Sequence, residues 1–413
     1  MTSEFCPKSL STPKLYKVLE LLVVIFVSFF FFLEIKPYFF WNYGPSLFRT
    51  IVVIFIIISL IFLFMNKNIS IKSVFMLSLY LFVAVLMGVY SEGVHISSVL
   101  AIFVICMVFL LNDTAKYKAY SMIVNVFIML TFPGIVIFVL LLMGFEFKYD
   151  LISPLNVLKE ELYRNYLFLV VPESDVQPSP FGVAFRFSGV FDEPGVIGTF
   201  SGIFLATRYV YDSLLRRCYF IFIGMCSMSL TFFILFIIIF AMNNPKNKII
   251  ISLLFIAFFV SISQWLQQVP VVDRFVFSRV EMLLNFDSNI NNREIVGFSA
   301  SFDELFKQSD FMLGKGAGSA ASEFPGGFSY KYFLYDHGIF SFIAINMLFL
   351  FVVFSSRLRL QYKVTFFIIL FLSLLQRPYY DSISIVVIIL GATAVPFIPR
   401  EIHFREHEVY DAK

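Results

Sequence analysis

Long apolar runs constrain this chain more than any other feature. Val18–Leu33 reads VLELLVVIFVSFFFFL, with Glu20 its single charge, and comparable runs recur to the far end of the sequence. A helix needs about 20 such residues to cross the hydrocarbon core of a bilayer. Hydrocarbon offers the backbone no hydrogen-bond partner, so runs of this length must be helical. Across 413 residues, 59% are hydrophobic and 14% charged, against roughly a quarter charged in soluble domains. The expectation is an all-α, polytopic integral membrane protein forming a single membrane domain over 1–413.

A net charge of +3 argues against nucleic acid as a partner. Cys6, Cys106, Cys218 and Cys226 form no CxxC pair, so neither a disulfide framework nor a metal site is expected. Lys8, Lys14 and Lys17 precede the first run, but no small-residue cleavage site follows it. That run reads as a retained membrane helix.

Spans are expected near 17–33, 49–65, 73–90, 94–111 and 119–144, followed by a long polar loop over 145–193 and a helix near 194–212. Lys67/Lys72, Lys116/Lys118, Arg216-Arg217 and the segment Ser355–Lys363 mark one side by charge, the cytoplasmic side under the positive-inside rule. A second long loop, 265–331, then lies outside with the first. This parity closes only if Cys218–Met242 is a tight pair of short helices bending near Ser227–Thr231. With spans at 248–264, 333–354, 364–376 and 381–398, the expected total is about twelve, both termini being cytoplasmic.

The stretch Phe181–Phe200, FGVAFRFSGVFDEPGVIGTF, sets Arg186, Asp192 and Glu193 directly before an apolar helix. Pro194 suits the first helical position, and acids there complement the helix dipole, so capping is the stronger reading of Asp192. A cation has no capping role at a helix N-terminus, which leaves Arg186 the stronger functional candidate. In the second loop, Arg274, Arg279 and Arg293 lie in an amphipathic pattern, with Glu294 adjoining Arg293, and Arg377 stands in the last outer turn. Arginine suits bidentate phosphate binding. Gly314–Ser319, GKGAGS, lacks the spacing of a phosphate loop and reads as a flexible turn returning the chain to the bilayer. Tyr335 belongs to an interfacial aromatic girdle, and His337, beside Asp336, is a candidate oriented base.

RFSGVFDEPGVIGTFSGIFLA, then NNRE, LGKGAGSA and YFLYDHGIF ahead of a helix, resemble the Wzy-type bacterial O-antigen and capsule polymerases, relatives of the O-antigen ligases. The resemblance implies a GT-C-like membrane glycosyltransferase of the inner membrane with two large periplasmic loops. It implies polyprenyl-diphosphate-linked oligosaccharides as substrates, a membrane lipid environment, a separate chain-length regulator protein, and no nucleotide sugar or obligate metal. Periplasmic arginines are the family's functional residues, which maps onto Arg186 and onto Arg274, Arg279 and Arg293. The ligases carry a histidine ahead of the helix that follows the second loop. Pro325–Ser329 has none, which favours polymerase over ligase. Glu193, Glu294 and His337 all stand as candidates for the catalytic base, with Arg377 and Tyr335 as substrate-binding candidates. The rival from another class, a lipid-linked oligosaccharide flippase, calls for ionisable groups inside the helices, and the centres of these runs are nearly free of them.

Overall fold

The structure is a computed structural model. It describes residues 13–41, 45–65, 69–88, 96–154, 161–179, 182–243, 273, 278, 281, 297–326 and 329–394. The first five helices are α1 (Pro13–Ile35), α2 (Pro45–Met65), α3 (Ile71–Gly88), α4 (Ile96–Leu110) and α5 (Asp113–Leu142). Next come five three-residue strands: β1 (Asp150–Ile152), β2 (Tyr163–Asn165), β3 (Val170–Pro172), β4 (Gln177–Ser179) and β5 (Gly182–Ala184). Beyond them lie α6 (Pro194–Leu205), α7 (Arg208–Tyr211), α8 (Leu214–Cys226), α9 (Leu230–Asn243), α10 (Phe298–Phe306), α11 (Ser319–Glu323), α12 (Tyr330–Phe354), α13 (Leu360–Gln376) and α14 (Ile383–Thr393).

Among the described residues, four helices are long and apolar enough to cross a membrane: Lys14–Ile35, Ile71–Gly88, Asp113–Leu142 and Tyr330–Phe354. The chain is thus a mostly helical, membrane-embedded protein. Other apolar helices are shorter, Pro194–Leu205 and Ile383–Thr393 among them. At about 1.5 Å per residue, α6 is about 18 Å long, well short of the roughly 30 Å hydrocarbon core. Its sequence is apolar on every side, the mark of a helix enclosed by others. Every residue of α6 except Gly195 is buried, and α14 is buried along its whole length.

The tight pair expected within Cys218–Met242 is present. Helix α8 ends at Cys226, Met228 takes a left-handed φ of 47°, and α9 starts at Leu230. Helix α6 packs into this bend: a Cβ added at Gly198 would lie 2.5 Å from Ser229 Cβ.

The loop over 145–193 departs from the all-helical expectation. Strands β1, β2 and β3 form an antiparallel sheet and β4 pairs with β5. Three-residue strands are too short to declare themselves by alternation in the sequence. Strands β2 and β3 are secured by burial instead, Tyr163, Val170 and Val171 being inaccessible.

The two ends of the bundle differ chemically. At one, Lys72 Nζ donates to the Ser355 carbonyl at 2.7 Å and Lys363 Nζ to that of Phe354 at 2.8 Å. Both cap the C-terminus of α12, where cations are favoured. Gln361 joins this end to Met242, and Tyr362 joins it to Asp212. The opposite end gathers the strands, the N-terminus of α6, the loop before α12 and the turn after α13.

Candidate functional site

Residues 185–188 run from strand β5 into a turn, which Gly189 enters with φ 56° and Phe191 N–H closes on the Ser188 carbonyl at 3.1 Å. Phe185 and Phe187 meet Phe138 edge-on, at 5.2 and 5.5 Å between ring centroids. Arg186, between them, turns to Asp175, with Nε at 3.0 Å and Nη2 at 2.7 Å from the same carboxylate oxygen, Oδ2. The pair is largely buried, with 15% and 8% side-chain exposure. The backbone is tied down residue by residue. Phe187 N–H donates to the Cys226 carbonyl at 3.0 Å, Val170 N–H to Gly189 at 2.8 Å, and Tyr38 N–H to Val190 at 2.8 Å. The arginine-bearing segment therefore seals the open end of the α8–α9 bend.

Glu193 occupies the N-cap position of α6 with extended backbone, and Pro194 follows at the first helical position. Its carboxylate makes no capping hydrogen bond to the helix. It accepts instead from Nη2 of Arg377 at 2.6 Å, a contact across 184 residues of sequence. Arg377 caps the C-terminus of α13, and its Nη1 donates to the Tyr379 hydroxyl at 3.3 Å. Burial alone would weaken the guanidinium's hold on its proton, but Tyr379 and Glu193 outweigh that and raise its pKa. Asp192 takes the hydroxyl of Tyr163, whose pKa is raised by burial first and then by the Asp192 charge and hydrogen bond.

The glycine-rich turn is organised around a break in α12. Gly314, Gly316 and Gly318 have φ of 81°, 115° and 85°, and Gly338, inside α12, has φ 71°. A Cβ on Gly338 would lie 2.5 Å from Gly314 N and from the Met312 oxygen, so only glycine permits the approach. Lys315 N–H donates to the Tyr335 carbonyl at 2.8 Å and Gly316 N–H to that of Asp336 at 2.9 Å. The backbone that the glycines admit is thus that of α12, and the stretch read as a flexible turn is a fixed clasp.

Within the clasp, the Tyr335 hydroxyl accepts from Lys315 Nζ at 2.7 Å and donates to Glu323 at 2.7 Å. That hydrogen bond with Tyr335 raises the Lys315 pKa. Asp336 accepts from the backbone of Gly318 at 3.1 Å and of Ala320 at 2.7 Å. His337 Nδ1 lies 3.0 Å from the Met87 carbonyl. What orients His337 is therefore the end of α3, whereas Asp336 is directed at the clasp.

The structure brings Glu193 and Arg377 together directly and leads from them towards His337. The Tyr380 ring, three residues after Arg377, lies 4.6 Å from that of Phe333, which is 4.8 Å from the His337 ring. Arg186 pairs with Asp175, and Tyr335 is held in the clasp. Arg274, Arg279, Arg293 and Glu294 lie outside the described residues. Sequence reasoning missed Asp175, Tyr163 and Glu34. Glu34 caps α14, accepting from Ile383 N–H at 3.1 Å and Ser384 N–H at 2.5 Å. A lone acid at the end of the first apolar run was the available signal for Glu34. Among the described residues, no group of three or more His, Cys, Asp or Glu is placed to hold a metal ion.

No protein-family model, curated protein or solved structure matches the chain.

Proposed function

We propose that this protein is an O-antigen polymerase of the Wzy type. In this reading it is an inner-membrane glycosyltransferase that joins polyprenyl-diphosphate-linked oligosaccharide repeat units at the periplasmic face. The observation that carries the reading is the Glu193–Arg377 contact. It draws the RxSGxFxEP segment and the last outer turn into one polar layer above apolar helices, where a lipid-borne diphosphate would lie. The chain crosses about twelve times in this reading. The lysine-capped end of the bundle faces the cytoplasm with both termini, in keeping with the positive-inside rule, and the loops 145–193 and 265–331 are periplasmic.

An acceptor hydroxyl oxygen attacks the anomeric carbon of the donor. The bond from that carbon to the diphosphate oxygen breaks, and polyprenyl diphosphate leaves with the electron pair. Arg186, Arg377 and the second-loop arginines Arg274, Arg279 and Arg293 offset the charge that develops on the leaving group. The acceptor proton passes to Glu193, Glu294 or His337.

The test is a lipopolysaccharide gel of a strain lacking the gene. Loss of a polymerase leaves single repeat units on the lipid core, loss of a ligase leaves none, and loss of a flippase blocks export. Complementation with Arg186→Ala or Arg377→Ala at normal expression is expected to cut polymer by about 10²–10³-fold, the scale of one lost transition-state donor. An unchanged ladder in the knockout would refute the polymerase reading. A full ladder from Arg186→Ala would remove Arg186 from it.

A further inference from the structure

The Glu193–Arg377 pair is lopsided. Arg377 keeps 6% of its side-chain exposure and Glu193 keeps 44%, so the cation is the floor and the carboxylate the cover. Arginine offers its N–H donors along fixed edges. Arg186 saturates its Nε–Nη2 edge, both atoms reaching Asp175 Oδ2. Arg377 uses only half of the same edge. Its Nη2 meets Glu193, while its Nε is buried without a hydrogen-bond partner among the described residues.

A buried donor left unmet costs free energy. The turn that holds Arg377 is wedged by rings on both sides, Tyr379 against Phe200 and Tyr380 against Phe333. The guanidinium therefore stays in place, and the exposed glutamate is the partner able to move.

From this geometry we infer that Arg377 is a latent site for a phosphate-type anion, with Glu193 as an internal, displaceable ligand. A tetrahedral group with three acceptor oxygens reaches Nη2 and Nε together, which the Glu193 carboxylate does not. The exchange keeps the buried cation neutralised throughout, since one anion replaces another. The natural ligand would be the diphosphate of the polyprenyl carrier if the polymerase reading holds, but the site itself stands on the geometry alone.

Full-length protein in zwitterionic lipid nanodiscs, titrated with inorganic pyrophosphate and followed by intrinsic fluorescence, tests this. Glu193→Gln removes the competing charge and is expected to bind pyrophosphate at least tenfold more tightly than wild type. Glu193→Asp, with a shorter reach, is expected to fall between the two and serves if the glutamine variant folds poorly. The charge-balanced double variant E193Q/R377Q is expected to lose the gain. Equal or weaker binding by both Glu193 variants overturns the inference, as does a gain that survives in the double variant. Polyprenyl diphosphate doped into the nanodiscs separates the two sources of the anion. Competition with pyrophosphate assigns the site to a lipid headgroup, and absence of competition assigns it to a free phosphate. Tightening by Glu193→Gln with an unchanged ladder in the knockout would sink the polymerase reading and leave the site. A lost ladder without tightening would do the reverse.

Discussion

Phe187 donates its backbone N–H to the carbonyl of Cys226 at 3.0 Å, joining a loop segment to the end of a helix that stops short. Helix α8 has 13 residues and α9 has 14, about 20 Å each at 1.5 Å per residue. A hairpin this short leaves carbonyls at its bend without helical partners. The RFSGVF segment supplies a donor at that depth, and Gly198 lets α6 close over the other side.

The closure makes Gly198 intolerant of a side chain. Gly198→Ala puts a Cβ 2.5 Å from Ser229 Cβ, whereas nothing lies within 4 Å of a Cβ at Gly88. Gly198→Ala is expected to cost about 1–3 kcal/mol through overpacking, and Gly88→Ala less than about 0.5 kcal/mol. Thermal unfolding of purified protein in nanodiscs compares the two.

Arg186 and Asp175 form a buried pair, and removing one partner leaves the other charge uncompensated. Arg186→Met and Asp175→Leu are each expected to cost about 3–5 kcal/mol. The double variant should cost clearly less than the sum. A double-mutant cycle in mixed-micelle unfolding measures the difference, and strict additivity would mean that the pair is not coupled.

Gly338 is held by both conformation and space. Gly338→Ala meets a φ of 71° and neighbours at 2.5 Å, whereas Gly318, with φ 85°, has open space around its Cβ position. The first substitution is expected to cost at least about 3 kcal/mol and the second about 1 kcal/mol. Trypsin reads this out at Lys315: cleavage there should accelerate strongly in Gly338→Ala and little in Gly318→Ala.

Tyr163 carries a pH dependence. Burial, then the Asp192 charge and hydrogen bond, raise its pKa above the ordinary 10.0. A group whose folded pKa is raised binds its proton more tightly when folded. Its contribution is therefore complete below about pH 10 and is lost as pH rises from there towards the folded value. The Tm advantage of wild type over Tyr163→Phe should be constant from pH 7 to 9 and shrink above about pH 10.

The apolar runs were legible because each helix there satisfies its own backbone, a local property. The break between α8 and α9 was legible for a different reason: charge parity demanded an extra turn near Ser227–Thr231, and Met225–Ser229 is less apolar than its flanks. The strands of the 145–193 loop were not legible, because three-residue strands carry no period. The glycine run 314–318 reads the same whether it loops freely or, as here, grips α12 at Gly338.

The sequence by itself determined that this chain is helical and membrane-embedded, since apolar length and backbone satisfaction in hydrocarbon leave no other solution. It also singled out Arg186, Glu193 and Arg377 as charges that needed a reason. Only the tertiary structure decided their partners. A buried charge is stable where another charge leaves water at the same point, and that point is set by the packing of α6, α13 and the 145–193 loop. Glu193 therefore left its own helix for Arg377, and Arg186 went to Asp175.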